Sequence, residues 1–494
     1  MEMFYHSTRS VNKLVTSKQA ILAGIAPDGG LYVSDDLGSS QLDLAGLAAG
    51  SYHQHAREVL GMLLPDYTPE EVSACVEGAY GQNFDTPAVT PVTPLGSDWL
   101  LELYHGPTCA FKDVALQMLP RLMSCARDPQ GQRIMIVTAT SGDTGKAALA
   151  GFAGVEGCGV TVFYPEGKVS EIQHLQMATQ EGRNVAVCGV EGTFDDCQTE
   201  VKHIFADKDL AGRLAAHGVA LSSANSINVG RLVPQVVYYV DAYAQLVRAG
   251  AVGLGDPVDF CVPTGNFGDV LAGYYAKRLG LPVGKLIVAS NTNKVLTDFL
   301  ETGTYDRRRP FMKTISPSMD ILVSSNLERM LYYLTEGDAE QVAAWMGDLA
   351  HKGSYHIGDD NLAKLRETFA CGWASDDQTK QTIRAAWEGE HVLMDTHTAV
   401  AKCVLDRFDS EGRVRVCLST ANAYKFSSDV LDALGERTRG MDDFTCMDEL
   451  QDLTGIAAPP QLSGLRDAAI LHDSACKRTR MTSFVEKSAR RIFR

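Results

Sequence analysis

The feature that most constrains this chain is an alternation. Between residues 99 and 289, short apolar runs at 99–104, 134–138, 160–164, 185–190, 258–262 and 286–289 are separated by helical segments such as 113–127 and 229–249. Apolar runs of strand length that alternate with helices build βαβ units, and successive units build a mostly parallel, doubly wound sheet. Such sheets bind ligands in the loops leaving the carboxyl ends of their strands, where helices begin and free backbone N–H groups converge. Those loops are where chemistry is to be sought.

The flanks read differently. Residues 17–24 carry a short helical pattern ending at Gly24, followed by the turn PDGG. Thr68-Pro69-Glu70-Glu71 opens a helix with the capping-box arrangement, a hydroxyl at the cap and a glutamate three residues on. Prolines at 87, 91 and 94 then interrupt regular structure and set a domain boundary near residue 90. After residue 300 helical patterns dominate, at 338–352, 362–370 and 379–387, before one more strand at 414–418 leads into LSTANAYKF. The last eighteen residues hold seven basic side chains and one glutamate and read as a solvated amphipathic helix.

Composition narrows the class. A chain of 494 residues with 45% hydrophobic side chains can bury a large core in several domains. Its formal charge of -16 argues against nucleic acid or an anionic membrane as the main partner, since both demand a basic footprint. A few local cations can still bind a small anion. The twelve cysteines are scattered, with no C-x-x-C pair and no Cys/His cluster at zinc spacing, so they read as reduced thiols and no metal is expected. Neither a signal sequence nor a membrane-spanning run is evident, which makes the cytoplasm the expected compartment.

Three loops stand out. PTGNFGD, residues 263–269, lies between an apolar run and a helical one, and its glycines allow a tight turn at a helix start, an anion cradle. Its G-x-x-G spacing is not the G-x-G-x-x-G of a dinucleotide site. TSGDTGK, residues 140–146, resembles a P-loop but lacks the first glycine and the hydroxyl after the lysine, and reads instead as a second anion nest. LYHGPTCAFKD, residues 103–113, puts Lys112 behind Phe111 at a strand-to-helix junction. A lone lysine is usually a solvated surface group. Beside two anion-binding loops, and desolvated by Phe111, Lys112 is a competent Schiff-base nucleophile and base.

YHSTR with AILAGIAPDGGLYV, HGPTCAFKD, TATSGDTG, NSINVGRLVPQ, VPTGNFGD, SPSMDILVSSNLER, DTHTAVA and LSTANAYKF, in that order, resemble the threonine synthase family. The resemblance implies the type II (tryptophan-synthase-β) α/β fold of pyridoxal-phosphate enzymes, with doubly wound, mostly parallel sheets in two catalytic domains and a family-specific N-terminal domain. It divides the chain into 1–90, a catalytic region 91–435 with a smaller subdomain at about 125–215, and a helical extension 436–494.

By that resemblance Lys112 carries pyridoxal 5'-phosphate through a Schiff base, and Gly265, Asn266, Phe267, Gly268 and Asp269 wrap its phosphate or ring edge. Asp269 is expected to order that loop through backbone N–H groups, and Thr420 to meet the pyridine nitrogen. Ser141, Asp143, Thr144 and Arg231 are implied to bind the substrate's carboxylate or phosphate. The implied reaction converts O-phospho-L-homoserine and water to L-threonine and phosphate, in a monomer or small homo-oligomer. Related type II phospholyases, threonine or serine dehydratases and an inactive regulatory paralogue are the alternatives. The sequence departs from the family at Asn422-Ala423, where His-Pro often stands, and at STRS in place of STRG.

Overall fold

A computed structural model describes residues 3–128, 132–140 and 142–494. Two parallel sheets carry the architecture. The larger has the order Phe369–Trp373, Val283–Ser290, Val258–Pro263, Val414–Ser419, Asp98–Glu102, Val92–Leu95, and only the last strand runs antiparallel to its neighbour. The smaller has the order Ala475–Lys477, Val185–Glu191, Cys158–Pro165, Arg133–Ala139, Val219–Ser222, all parallel. An antiparallel N-terminal sheet of Tyr5–Ser7, Ser10–Val15 and Tyr32–Val33 packs beside them.

The fold is the α/β type implied by the sequence. The central strands are buried on both faces, which is why they read as continuous apolar runs. Thr68 and Glu71 form the expected reciprocal cap of the helix Pro69–Ala79. Two segments differ from expectation. Phe369–Trp373, whose start was assigned to a helix, is an edge strand, and the C-terminal stretch supplies the strand Ala475–Lys477 as well as the helix Met481–Ile492. Short, half-exposed strands lack the apolar run that marks a central one.

The strand order brings five loops together. Asp98–Glu102, Val414–Ser419 and Val258–Pro263 are adjacent in the large sheet, and Arg133–Ala139 and Val219–Ser222 are adjacent in the small one. The segments leaving their carboxyl ends hold Lys112, Thr420, Gly265 to Asp269, Asp143 and Arg231 in turn. The helix Lys112–Ala126 packs directly on the helix Asp143–Phe152 of the small sheet. Contact is closest at Gly151, where a β-carbon would stand 1.8 Å from the Leu116 carbonyl oxygen. Among the described residues no helix is long and apolar enough to cross a membrane.

Gly151→Ala forces these helices apart and is expected to destabilise the protein by at least about 2 kcal/mol. Gly347, also helical but facing open space, should accept alanine with no loss or a gain of up to about 1 kcal/mol. Urea unfolding midpoints of the two variants check both.

Candidate functional site

Lys112 is the first residue of its helix, and two backbone bonds fix where that helix starts. The Phe111 amide donates to the Thr420 carbonyl (2.9 Å) and the Asn422 amide donates to the Cys109 carbonyl (3.1 Å), so residues 109–111 lie alongside 420–422. This sets Lys112 beside Thr420. Cys109 adopts φ 57°, a left-handed conformation unusual for a side-chain-bearing residue, at the bend into the helix. Asp113 closes the preceding loop by accepting from the Thr108 amide (2.8 Å) and hydroxyl (2.7 Å), and burial pushes its carboxyl up to about 6.

The lysine amine is enclosed. Its Nζ lies 4.8 Å from the Phe111 ring centroid and 3.4 Å from Asp143 Oδ2, and its side chain is 12% exposed. Burial lowers its proton affinity; Asp143 opposes that, while Lys425 and Arg231 reinforce it. A buried amine beside other cations is more readily neutral, the form that attacks a carbonyl or accepts a proton.

Asp143 differs from its expected role in one respect. Its second oxygen, Oδ1, forms an ion pair with Lys425 Nζ at 2.8 Å, and Lys425 Nζ donates its hydrogen bond to the Thr108 carbonyl at 2.7 Å. Burial works to raise the Asp143 carboxyl, yet Lys425 and Lys112 outweigh it and hold the group well below the usual carboxylate range. The second nest is also partly filled by its own chain. Thr140 Oγ1 accepts from the Gly142 (3.0 Å) and Gly145 (3.1 Å) amides, leaving those two N–H groups unavailable. The expectation of a bare anion nest is thus corrected: Thr140 and Asp143 supply oxygens there, and the amines of Lys112 and Lys425 lie against Asp143. Thr144 is half-buried in the first turn of the same helix, and Ser141 lies outside the described residues.

Arg231 stands close enough to Lys112 to lower its proton affinity. It is 3% exposed, and burial lowers it to about 10. Its Nη1 donates to the Ala224 carbonyl (3.1 Å), while its buried Nε has no hydrogen-bond partner among the described residues. A buried guanidinium with an unmet donor fits an anionic ligand.

The loop of Gly265 to Gly268 is braced from behind. Ser324 Oγ donates to the Gly265 carbonyl (2.7 Å), the Asn326 amide donates to the Asn266 carbonyl (3.0 Å), and a β-carbon at Gly265 would stand 2.9 Å from the Ser318 carbonyl. Phe267 takes φ 61° and turns its ring into the core, 5.5 Å from Phe369, so only its backbone is offered to a ligand. Asp269 corrects an expectation. Its Oδ1 accepts from the hydroxyls of Tyr238 (2.5 Å) and Tyr239 (2.9 Å), in place of backbone N–H groups, and its Oδ2 meets no partner among the described residues. Burial raises its carboxyl to about 6, against the two tyrosines and Lys112.

The brace reaches the N-terminal sheet. Glu328 Oε1 accepts from Thr8 Oγ1 (2.6 Å) and Arg9 Nε (2.8 Å), and the next residue, Arg329, donates to the Tyr32 carbonyl (2.9 Å). The YHSTR and SSNLER motifs therefore meet in space. Lys425 and a buried His397–Asp395 pair (2.7 Å), whose Nε2 accepts from the Ser318 amide (3.1 Å), were given no role from sequence. The signal for Lys425 is a lone cation within an otherwise apolar turn after a strand.

A phosphate-bearing aldehyde fits these residues. Lys112 offers the amine, the Gly265–Gly268 loop begins a helix, and Arg231 Nε is an unmet donor nearby. Comparison with known proteins agrees with this chemistry. Residues 4–80 match the threonine synthase N terminus, and residues 90–359 match the pyridoxal-phosphate dependent enzymes. The threonine synthase of Schizosaccharomyces pombe is 36% identical over 88% of this chain and 90% of its own length. The chain belongs to the threonine synthase family. The crystal structure of pyridoxal-phosphate-bound threonine synthase from Brucella melitensis superposes with a TM-score of 0.89 at 35% identity, covering 99% of this chain and all of the other. Human threonine synthase-like 1 is 40% identical over 84% of this chain, which spans 58% of that protein's length. Pyridoxal phosphate is the cofactor of this family, and the residues around Lys112 suit it.

The position of Asp269 makes a pH prediction. Its folded carboxyl titrates near 6, above its ordinary 3.8, so the folded state holds the proton more tightly. The group favours folding below about pH 4, and its ionisation opposes folding above about pH 6. Relative to the natural protein, Asp269→Asn should therefore gain on the order of 2 kcal/mol as pH rises from 4 to 7. Urea unfolding of the cofactor-free protein at both pH values checks this, and a constant difference would refute it.

Proposed function

We propose that this protein is a threonine synthase, which converts O-phospho-L-homoserine and water to L-threonine and phosphate. The observation that carries the reading is a buried amine, Lys112, facing Asp143 and grouped with the partly unsatisfied guanidinium of Arg231. Bound pyridoxal phosphate supplies an electron sink for negative charge developing next to the substrate amine. The Gly265–Gly268 loop and Thr420 are the groups proposed to hold it.

The remaining work falls to side chains. Arg231 offers a cation to the substrate's phosphate, and a charge-assisted bond of this kind binds the leaving group before and after its bond breaks. Lys112 is the group proposed to take the proton from Cα and to return it. Loss of a proton from Cβ drives phosphate from Cγ; a proton delivered to Cγ then makes Cβ electrophilic, and water adds there. Phe111 shields the amine and helps to delay water until the unsaturated carbon is present.

Incubating the purified protein with pyridoxal phosphate and O-phospho-L-homoserine should release threonine and inorganic phosphate in equal amounts. Phosphate with 2-oxobutyrate and no threonine would instead identify a phospholyase. Lys112→Ala should lower turnover by at least about 10³-fold and abolish fixation of the cofactor by borohydride at that residue. Arg231→Gln should raise KM for the phosphorylated substrate by about tenfold or more, as expected for a lost charged hydrogen bond. Unchanged KM would remove Arg231 from the phosphate site.

A further inference from the structure

We propose that Lys425 is a positioning residue for Lys112: it binds one carboxylate oxygen of Asp143 so that only the other is left to meet the catalytic amine. The inference rests on the reading of Lys112 as the Schiff-base lysine. It starts from three distances: Lys425 Nζ is 2.7 Å from the Thr108 carbonyl and 2.8 Å from Asp143 Oδ1, while Asp143 Oδ2 is 3.4 Å from Lys112 Nζ. The carboxylate is thus shared unequally, and the tighter pair is the one away from the amine that must react.

Sequence position explains how this is arranged. Lys425 sits in the 3₁₀ turn Ala423–Phe426, which Asn422 caps by accepting the Tyr424 amide at 3.0 Å. The same Asn422 is tied to the Cys109 carbonyl, and Thr108 precedes Cys109, so the lysine, its carbonyl partner and the start of the Lys112 helix are built as one unit. Asp143 alone comes from the small sheet. A carboxylate with Lys112 as its only counter-charge would hold that amine as an ammonium, which neither attacks a carbonyl nor accepts a proton. Lys425 satisfies most of that charge and leaves Asp143 able to orient Lys112 without holding its proton.

Other charged groups face the amine. Arg231 approaches from the helix Val229–Arg248 and lowers its proton affinity, and Asp269, on the helix Gly268–Arg278, senses Lys112 in turn. Asp113, the next residue, is turned to Thr108, and His397 acts electrostatically on Asp143. The test must separate Lys425 from these.

The measurement is made on cofactor-free protein. Lys112 is pulse-acetylated with acetic anhydride across a pH series, and its peptide is quantified by mass spectrometry to give the pH of half-maximal labelling. Lys425→Met should move that midpoint up by about one unit, roughly tenfold slower labelling at fixed pH below it. Lys425→Arg should leave the midpoint near that of the natural protein, and Asp143→Asn should move it down. Should Lys425→Met fail to fold, the double variant with Asp143→Asn removes the carboxylate that would lose its counter-charge. Its midpoint should lie close to that of Asp143→Asn alone. No shift in Lys425→Met, or a double variant displaced from Asp143→Asn by a full unit, overturns the proposal. Because neither cofactor nor substrate is present, failure of the threonine synthase reading leaves these midpoints unchanged.

Discussion

A buried carboxylate held between two lysines governs this site. Asp143 meets Lys112 and Lys425 where charges cannot be left to water, and Arg231 and Lys146, the latter lowered to about 8 by burial, stand close by. Buried charge is tolerated when it is paired. The basic groups Lys112, Lys425, Arg231 and Lys146 outnumber the acids Asp143, Asp113 and Asp269, and burial opposes ionisation of the last two. The imbalance suits the site to an anion such as the phosphate of pyridoxal phosphate. It also shows how a chain with net charge -16 can bind one, since the protein's total charge is far less important than the few cations within reach.

Much of this was legible because parallel strands buried on both faces leave long apolar runs in the sequence. The central strands could be read for that reason, and the loops at their carboxyl ends are where the candidate residues converge. The edges could not. FACGW at 369–373 is half-exposed, and VTPL at 92–95 contains a proline and pairs on only one side. Their strand character comes from their neighbours. In the site, Lys112, Asp143, Arg231 and Thr420 could be found from motifs. The roles of Lys425 and of Tyr238 and Tyr239 could not, since each depends on which distant segment lies opposite. The two tyrosines sit within a helix whose residues are nearly all buried, where they look like core and nothing more.

The N-terminal sheet adds a mechanical element. Thr8 and Arg9 hold Glu328, Arg329 holds Tyr32, and Asn326 holds the backbone of Asn266. The phosphate-type loop is therefore stiffened through a relay of short bonds from a sheet that contributes no reacting group. A glycine-rich loop gains precision in this way while keeping the close backbone approach that glycine permits.

One feature reaches beyond the site itself. Asp143 rides on the small sheet, whereas Lys112 and Lys425 follow strands of the large one. The two ion pairs therefore form a clasp across the cleft. Drawing the sheets apart must separate unlike charges in a medium of low permittivity, so the cleft resists opening most strongly when it is already shut.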